Sequence, residues 1–332
     1  VCVERGGKAV FDLYLLNDTS KPVTGTLTFS AVTPSGKLLK LIELPAPAQT
    51  PDQFSYLLRE GFETPALVEE GLYRFRFALS SAPLAAQTKD IWVTGLSEYK
   101  PARKQTVAVS GITSSTRRQL EEIAARLGIE IKDFAAGAKY DAIVSQGLTA
   151  NSSAFQLSGD DTGLEAHPGG AAKPGPTGVG SLDAAILDAV KAGTPLLAVP
   201  QADALSEGVA RQLAGAGAFT YNGTVGDFRA PWMGNWYFVR EHPVYAGLPV
   251  NQVMGIHYQA KGRESNGLLV DGSDIEIIAA YSRDHDRRVG AGTFTAKFGS
   301  SRVLYHRVPE FHPVTQRRFL ANALLWLLTE GA

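Results

Sequence analysis

The sequence predicts an all-β region at the N-terminus, followed by an α/β region built on a parallel sheet. Up to about residue 93, apolar and polar residues alternate in short segments, which is typical of half-buried strands. After about residue 104, short apolar segments alternate with helical periodicity, which is typical of β-α-β units. The length of 332 residues is sufficient for two hydrophobic cores.

Composition and charge exclude several classes of protein. Lys and Arg number 32 and Asp and Glu number 33, so the formal charge is −1 and we expect no nucleic-acid partner. No apolar segment approaches the roughly 18 residues of a membrane span, so we expect no membrane partner. Cys2 is the only cysteine, which excludes an intrachain disulfide. The chain begins at Val1 without a signal-peptide pattern, so we expect it to be a piece of a longer protein.

Residues 1–96 predict an immunoglobulin-like antiparallel β-sandwich. Residues 10–15, 24–29 and 72–79 alternate, and turn sequences such as Asn17-Asp18 separate the short strands. Residues 97–103 are interpreted as a linker. Because sandwich modules often connect other domains, we expect this region to act as a spacer rather than to bind a ligand.

Residues 104–332 predict a flavodoxin-like, doubly wound parallel sheet. The strand 106–110 ends at Gly111, Thr113 offers a helix N-cap, and Gly128 is placed to end the helix. Apolar segments predict further strands at 129–131, 140–144, 195–199, 275–281, 291–296 and 303–306. Helical periodicity predicts further helices at 182–191, 206–214 and 313–328. Residues 151–180 are polar and rich in Gly and Pro, which predicts a long loop.

Ligands of doubly wound sheets bind beyond the carboxyl ends of the strands, so the turns after Val109, Val144, Val199 and Tyr305 are the first places to search. Here the residues resemble a known family. Residues 192–202 resemble the strand and nucleophile elbow of class I glutamine amidotransferase-like domains. Residues 303–306, followed by Glu310, resemble the later strand that bears the family's catalytic His and Glu, and residues 317–326 resemble the end of its ThuA-like branch.

The chain departs from that family at the elbow. Pro200 stands where the family has its cysteine, and proline offers neither a nucleophile nor a backbone N–H for an oxyanion hole. We therefore expect no catalytic residue. His306 and Glu310 remain as relics or binding groups, and a structural role is expected for His306. The alternative is a free-standing hydrolase that uses His306 and Glu310 with a water or with an unrecognised nucleophile such as Ser110 or Ser145.

An aromatic segment at residues 229–249 has two interpretations, of which one is a carbohydrate platform, because aromatic faces stack on sugars and polar groups bind the hydroxyls. The candidate binding residues, together with His306 and Glu310, are Trp232, Asn235, Trp236, Tyr237, Tyr258, Tyr281, Arg283, Asp284 and His285. The other interpretation, which the usual role of large aromatic residues at interfaces favours, is that Trp232 and Trp236 fasten a long loop to the domain or its neighbour. His285 lies between two aspartates, but the neighbouring arginines would repel a cation, so we expect a solvated turn and no metal or cofactor.

Across nearly the whole chain, a sandwich followed by Trp-Met-Gly-Asn-Trp-Tyr-Phe, Tyr-Ser-Arg-Asp-His-Asp-Arg and Leu-Tyr-His-Arg-Val-Pro resembles the C-terminal, non-catalytic region of bacterial family 2 glycoside hydrolases of the β-galactosidase or β-mannosidase type. The resemblance implies an accessory region that binds carbohydrate or serves domain and subunit assembly. The implied partners are an upstream catalytic domain of the same polypeptide, a carbohydrate and a second copy of the chain. It also implies a periplasmic or secreted location.

Overall fold

A computed structural model describes residues 1–19, 21–50, 52–96, 103–149, 180–200, 203–225, 235–258, 267–283, 287–308 and 311–329. The chain divides into two compact units. The first comprises Val1–Gly95, Gly255–Gln259 and His312–Arg318, and the second comprises Leu96–Met254, Ala260–Phe311 and Phe319–Ala332. The predicted combination of all-β and mixed α/β structure is confirmed. Most of the predicted linker and of the predicted long loop lies outside the described residues.

The first unit contains a five-stranded and a two-stranded sheet. The larger sheet has the order β1-β7-β6-β3-β4 and the smaller one pairs β2 with β5. The strands are β1 (Cys2–Glu4), β2 (Val10–Leu16), β3 (Thr26–Val32), β4 (Leu38–Pro45), β5 (Ser55–Glu63), β6 (Gly71–Leu79) and β7 (Ala82–Thr94). Alternate residues such as Leu13, Phe29 and Phe75 turn inward and form the core, as the alternating pattern predicts.

Five parallel strands with the order β9-β8-β10-β11-β18 form one half of the main sheet of the second unit. They are β8 (Gln105–Ser110), β9 (Ile129–Asp133), β10 (Ala142–Ser145), β11 (Leu196–Ala198) and β18 (Ser301–His306). The described helices are α1 (Ser114–Leu127), α2 (Ala184–Lys191), α3 (Asp203–Gly215) and α4 (Pro313–Thr329). The predicted strands and helices of this half are present, with ends shifted by a few residues.

Local signals set the first helix of this unit. Thr113 has an extended backbone, and its hydroxyl accepts a hydrogen bond from the Thr116 backbone N–H, as an N-cap does. Gly128 follows the helix with φ of 74°, a left-handed conformation that glycine adopts without a Cβ clash. The helix therefore begins and ends where these two residues predict.

Antiparallel strands extend the sheet beyond β18, and the sequence predicted only two of them. The strands are β12 (Thr220–Val225), β13 (Asn235–Val239), β14 (Gln252–Val253), β15 (Gly267–Asp271), β16 (Glu276–Arg283) and β17 (Gly290–Phe298). The order continues β18-β17-β16-β13-β14, and β15 pairs with both β12 and β17. The aromatic segment at residues 229–249 thus contributes a strand, β13. None of the described helices is long and apolar enough to cross a membrane.

Candidate functional site

The carboxyl edge of the parallel strands is the expected position for a catalytic site. Ser110, Ser145, Ala198 and Tyr305 lie in one register row across β8, β10, β11 and β18. Pro200 lies just beyond the end of β11, and it is buried. The position at which the family resemblance predicts a nucleophile therefore holds a proline, which has neither a nucleophile nor a backbone N–H.

His306 ends β18 at this edge and is buried, with 4% of its surface exposed. Its Nδ1 lies 2.8 Å from the Thr293 hydroxyl, which in turn lies 2.9 Å from the Tyr245 hydroxyl. Its ring centroid lies 4.0 Å from that of Phe319 and 5.4 Å from that of Phe311. Nε2 is buried and has no hydrogen-bond partner within the described part of the chain. Burial lowers the pKa of His306 to about 3, so the imidazole is neutral at pH 7.

Neither candidate serine lies next to this histidine. Ser145 is in register with Ala198, and Ala198 is in register with Tyr305 on β18. Two inter-strand spacings, roughly 10 Å, therefore separate Ser145 from β18, and Ser110 lies one strand further away. The Ser145 hydroxyl accepts a hydrogen bond from the Gly147 backbone N–H. Neither serine is therefore within hydrogen-bond reach of His306, as a serine nucleophile activated by a histidine base would need to be.

A second candidate site lies on the outer face of β13. Trp236 is 38% exposed, Phe238 is 42% exposed, and Val253 of the adjacent strand β14 is 43% exposed. We call these three residues the aromatic strip. Phe238 pairs with Val253 in the β13–β14 ladder, and residues two apart on a strand lie roughly 7 Å apart on one face. The strip is therefore a flat apolar surface.

The opposite face of β13 explains why these rings point outward. Tyr237 and Val239 are buried, and successive side chains on a strand alternate between faces. The ring of Tyr237 lies 5.2 Å from that of Tyr281 on the neighbouring strand, and a Cβ built on Gly292 would lie 2.4 Å from the Tyr237 ring. The absence of a side chain at Gly292 thus provides the space that holds Tyr237 inward.

Small neighbours leave the rings uncovered. Trp236 pairs with Ser282 and Phe238 pairs with Ala280 across the β13–β16 ladder. Neither short side chain can shield an aromatic ring from solvent. Arg240, the next outward residue of the chain, is exposed and adds a polar group at the end of the strip.

The other predicted binding residues are distributed differently. Tyr281, Arg283 and Tyr258 are buried, and Tyr258 belongs to the first compact unit. Asn235 begins β13, but its side chain lies outside the described part. Four predicted site residues lie outside the described residues: Trp232, Asp284, His285 and Glu310. The described part contains no group of three or more His, Cys, Asp or Glu residues that could hold a metal ion.

Sequence analysis missed two members of the strip, Phe238 and Val253. The signal was available for Phe238, since residues 235–239 read Asn-Trp-Tyr-Phe-Val, which is rich in the aromatic and β-branched residues of strands. A strand at this place would have put Trp236 and Phe238 on one face. Val253 had no such signal, because its strand has two residues and forms only by pairing with β13.

Comparisons with known proteins identify distant neighbours. No protein-family model matches the chain, and no curated protein matches it. The cytoplasmic protein STM3548 from Salmonella typhimurium is 15% identical over 67% of this chain and 98% of that protein, with a TM-score of 0.37. A β-galactosidase from Bacillus circulans is 10% identical over 68% of this chain and 31% of that enzyme, with a TM-score of 0.37.

A further neighbour is Gan42B, a GH42 β-galactosidase from G. stearothermophilus, which is 10% identical over 68% of this chain, with a TM-score of 0.36. The matched region spans 30% of Gan42B, so this chain corresponds to about a third of each of these β-galactosidases. Glycoside hydrolases are thus among the distant structural neighbours. At such TM-scores the likeness assigns no function.

Proposed function

We propose that this chain is a non-catalytic accessory region of a carbohydrate-active enzyme and that it binds a glycan on the aromatic strip. The observation that carries the proposal is the pair of exposed rings, Trp236 and Phe238, on one face of β13. An aromatic face covers the apolar C–H surface of a pyranose ring, while water leaves both. Two rings on a flat surface suit an extended polysaccharide better than an enclosed monosaccharide.

Polar groups at the edge of the strip complete the proposed site. Arg240 is exposed beside Phe238, and Ser282 faces Trp236 across the ladder. Guanidinium and hydroxyl groups are suited to hydrogen bonds with sugar hydroxyls. This combination of apolar faces with a few polar groups is typical of small-molecule sites.

The carboxyl edge supports the non-catalytic part of the proposal. Pro200 supplies no nucleophile at the elbow, His306 is buried and neutral, and Ser145 lies roughly two strand spacings from β18. A general base must reach the proton that it removes, and the buried ring of His306 does not offer this reach to a dissolved substrate.

The finer assignments extend the same proposal. The order β9-β8-β10-β11-β18 corresponds to the 2-1-3-4-5 order of flavodoxin-like sheets, which supports a flavodoxin-like second unit, with ThuA-like character inferred from its sequence. The two sheets of the first unit support an immunoglobulin-like sandwich. The sequence resemblance supports a family 2 parent enzyme with a catalytic domain upstream and a periplasmic or secreted location.

Affinity electrophoresis in gels that contain a soluble galactan, mannan, xylan or glucan tests the proposal. We expect retardation by at least one polysaccharide. Truncating a tryptophan at a binding surface often costs about 2 kcal/mol of binding energy, so Trp236→Ala should weaken binding roughly 30-fold, and Phe238→Ala, at about 1 kcal/mol, should weaken it roughly fivefold. Phe54→Ala, at an aromatic residue of the first unit that is 67% exposed, is the matched control and should bind as the wild type does.

Two results contradict the proposal. Mobility that no polysaccharide changes, or retardation that Trp236→Ala leaves unchanged, excludes the aromatic strip as a glycan site. Turnover of aryl glycosides or amides that is lost in His306→Ala excludes the non-catalytic assignment and favours the hydrolase alternative.

A further inference from the structure

An apolar cavity of about 860 Å³ opens between the two sheets of the first unit. Its walls include Leu13 and Leu15 of β2, Phe75 and Phe77 of β6, and Ile91 of β7. These residues belong to or border the core clusters of this unit. The cavity is therefore a continuation of the hydrophobic core that no side chain of the described residues fills.

The two sheets that enclose the cavity differ in width. The larger sheet has five strands and the smaller one has two, β2 and β5. Consequently, part of β7 has no strand of the smaller sheet over it, and Ala85, Gln87, Thr88 and Lys89, which line the cavity, are exposed. The cavity occupies the place that a third strand of the smaller sheet would take.

Unpaired strand edges border the cavity on both sides. Within the described residues, β2 pairs with β5 alone, so its other edge carries seven residues, roughly 23 Å of backbone, without a strand partner. On the side of β7 away from β6, β1 pairs only with Trp92, Val93 and Thr94. Free edges of this length are templates for strand addition, and proteins usually cover or disrupt them.

From these observations we propose that the cavity binds an extended β-strand of a partner polypeptide, which pairs with the free edge of β2. The strand would place apolar side chains at every second position against Leu13 and Leu15. Main-chain hydrogen bonds would give affinity and the alternating side chains would give specificity, as in β-augmentation. A small apolar ligand would fill the space but would leave the free edge of β2 without a strand partner.

Charge at the rim adds a requirement on the partner. Lys89 lines the cavity and has no carboxylate partner among the described residues, whereas Lys8, at the same rim, pairs with Glu63 at 2.9 Å. A carboxylate on the added strand near Lys89 would complement this charge. The occupant is thus an alternating apolar strand that carries at least one acidic residue.

Blocked nine-residue peptides with Val, Ile, Leu or Phe at alternate positions and Thr and Glu between them are the probes. We expect fluorescence anisotropy to show saturable binding of at least one peptide to the full chain, and hydrogen exchange to show new protection of the β2 amides. The same peptide with proline at its centre should bind at least tenfold more weakly, because proline removes a donor and interrupts the strand.

Variants on β7 test the position of the peptide. Ala85→Trp places a large ring in the cavity and should weaken binding at least tenfold, whereas Leu84→Trp, at an exposed neighbour outside the cavity, should leave it unchanged. Lys89→Glu should weaken binding of the Glu-containing peptide several-fold and favour the same peptide with Lys in place of Glu. Leu84, Ala85 and Lys89 are all exposed, so the three variants should fold.

Several outcomes overturn the proposal. These are no binding by any peptide of the panel at millimolar concentration, equal binding by the proline-containing peptide, or binding without protection of β2. Protection of β2 that depends on protein concentration alone assigns the edge to a second copy of the chain. Saturable binding of dodecanoate that Ala85→Trp abolishes, with no peptide bound, assigns the cavity to a small apolar ligand.

Discussion

Replacing His306 by Asn should remove a defined part of the acid sensitivity of the second unit. Burial lowers the pKa of His306 to about 3 in the folded state, while an unfolded chain has a histidine pKa of about 6.5. Between these values the unfolded state binds a proton that the folded state does not, so stability is lost as the pH falls below about 6.5. Above that pH the proton is absent from both states and the effect vanishes.

The magnitude follows from proton linkage. Each pH unit within the window changes the free energy of unfolding by about 1.4 kcal/mol, so between pH 7 and pH 5 the wild type should lose about 2 kcal/mol through this group. Asn retains a polar atom near Thr293 but does not titrate. The stability difference between wild type and His306→Asn should therefore shrink by about 2 kcal/mol over this range, while other titrating groups cancel in the difference.

The stability difference is measured by urea unfolding at pH 7, 6 and 5. Hydrogen exchange of the β18 amides is the readout, so that the measurement reports on the second unit alone. The histidine Hε1 shift in the folded wild type provides an independent measurement and should not titrate above pH 4. Parallel pH profiles of the two proteins, or a folded pKa near 6.5, would refute the reasoning. His306 would then be accessible to protons and suitable as a base.

Three further changes test the packing of the second unit, two of them at the candidate sites and one at the end of α1. Thr293→Val should lower the free energy of unfolding by about 2 kcal/mol in urea, because it leaves Nδ1 of buried His306 without its hydrogen bond. Gly292→Ala should cost about 1–3 kcal/mol in the same assay, because the new Cβ would lie 2.4 Å from the Tyr237 ring. Gly128→Ala should lower the melting temperature by a few degrees, corresponding to about 1 kcal/mol, because alanine is strained at φ of 74°.

The proposed division of roles follows from where side chains are exposed. In the parallel half of the sheet, Pro200 and the ring of His306 at the carboxyl edge are both buried. In the antiparallel half, Trp236 and Phe238 remain exposed because their cross-strand neighbours are small. We therefore propose that the chain presents a recognition surface rather than a reaction centre.

The parallel half of the second unit was predictable because local signals agree with the final structure. The apolar residues 106–110, the cap at Thr113 and the terminator at Gly128 each specify an element without reference to distant residues. Right-handed β-α-β connections then leave few ways to arrange the strands. The lack of a nucleophile at position 200 was also predictable, because it follows from the chemistry of proline itself and not from the surrounding structure.

The antiparallel half was less predictable because its strands depend on partners distant in sequence. The two-residue strand β14 exists through pairing with β13, and β15 approaches β17 closely where Gly267 meets Gly290. No local propensity encodes such pairings. For the same reason, the sequence did not predict that Tyr281 is buried and Trp236 exposed, because both are aromatic residues in alternating segments.

A glycan array probed with the wild type and with the double variant Trp236→Ala/Phe238→Ala tests the central claim most directly. We predict that the wild type binds one class of polysaccharide and that the double variant, with an unchanged circular dichroism spectrum, binds none. Equal binding by both proteins, or binding by neither, would contradict the assignment of the aromatic strip as a glycan site.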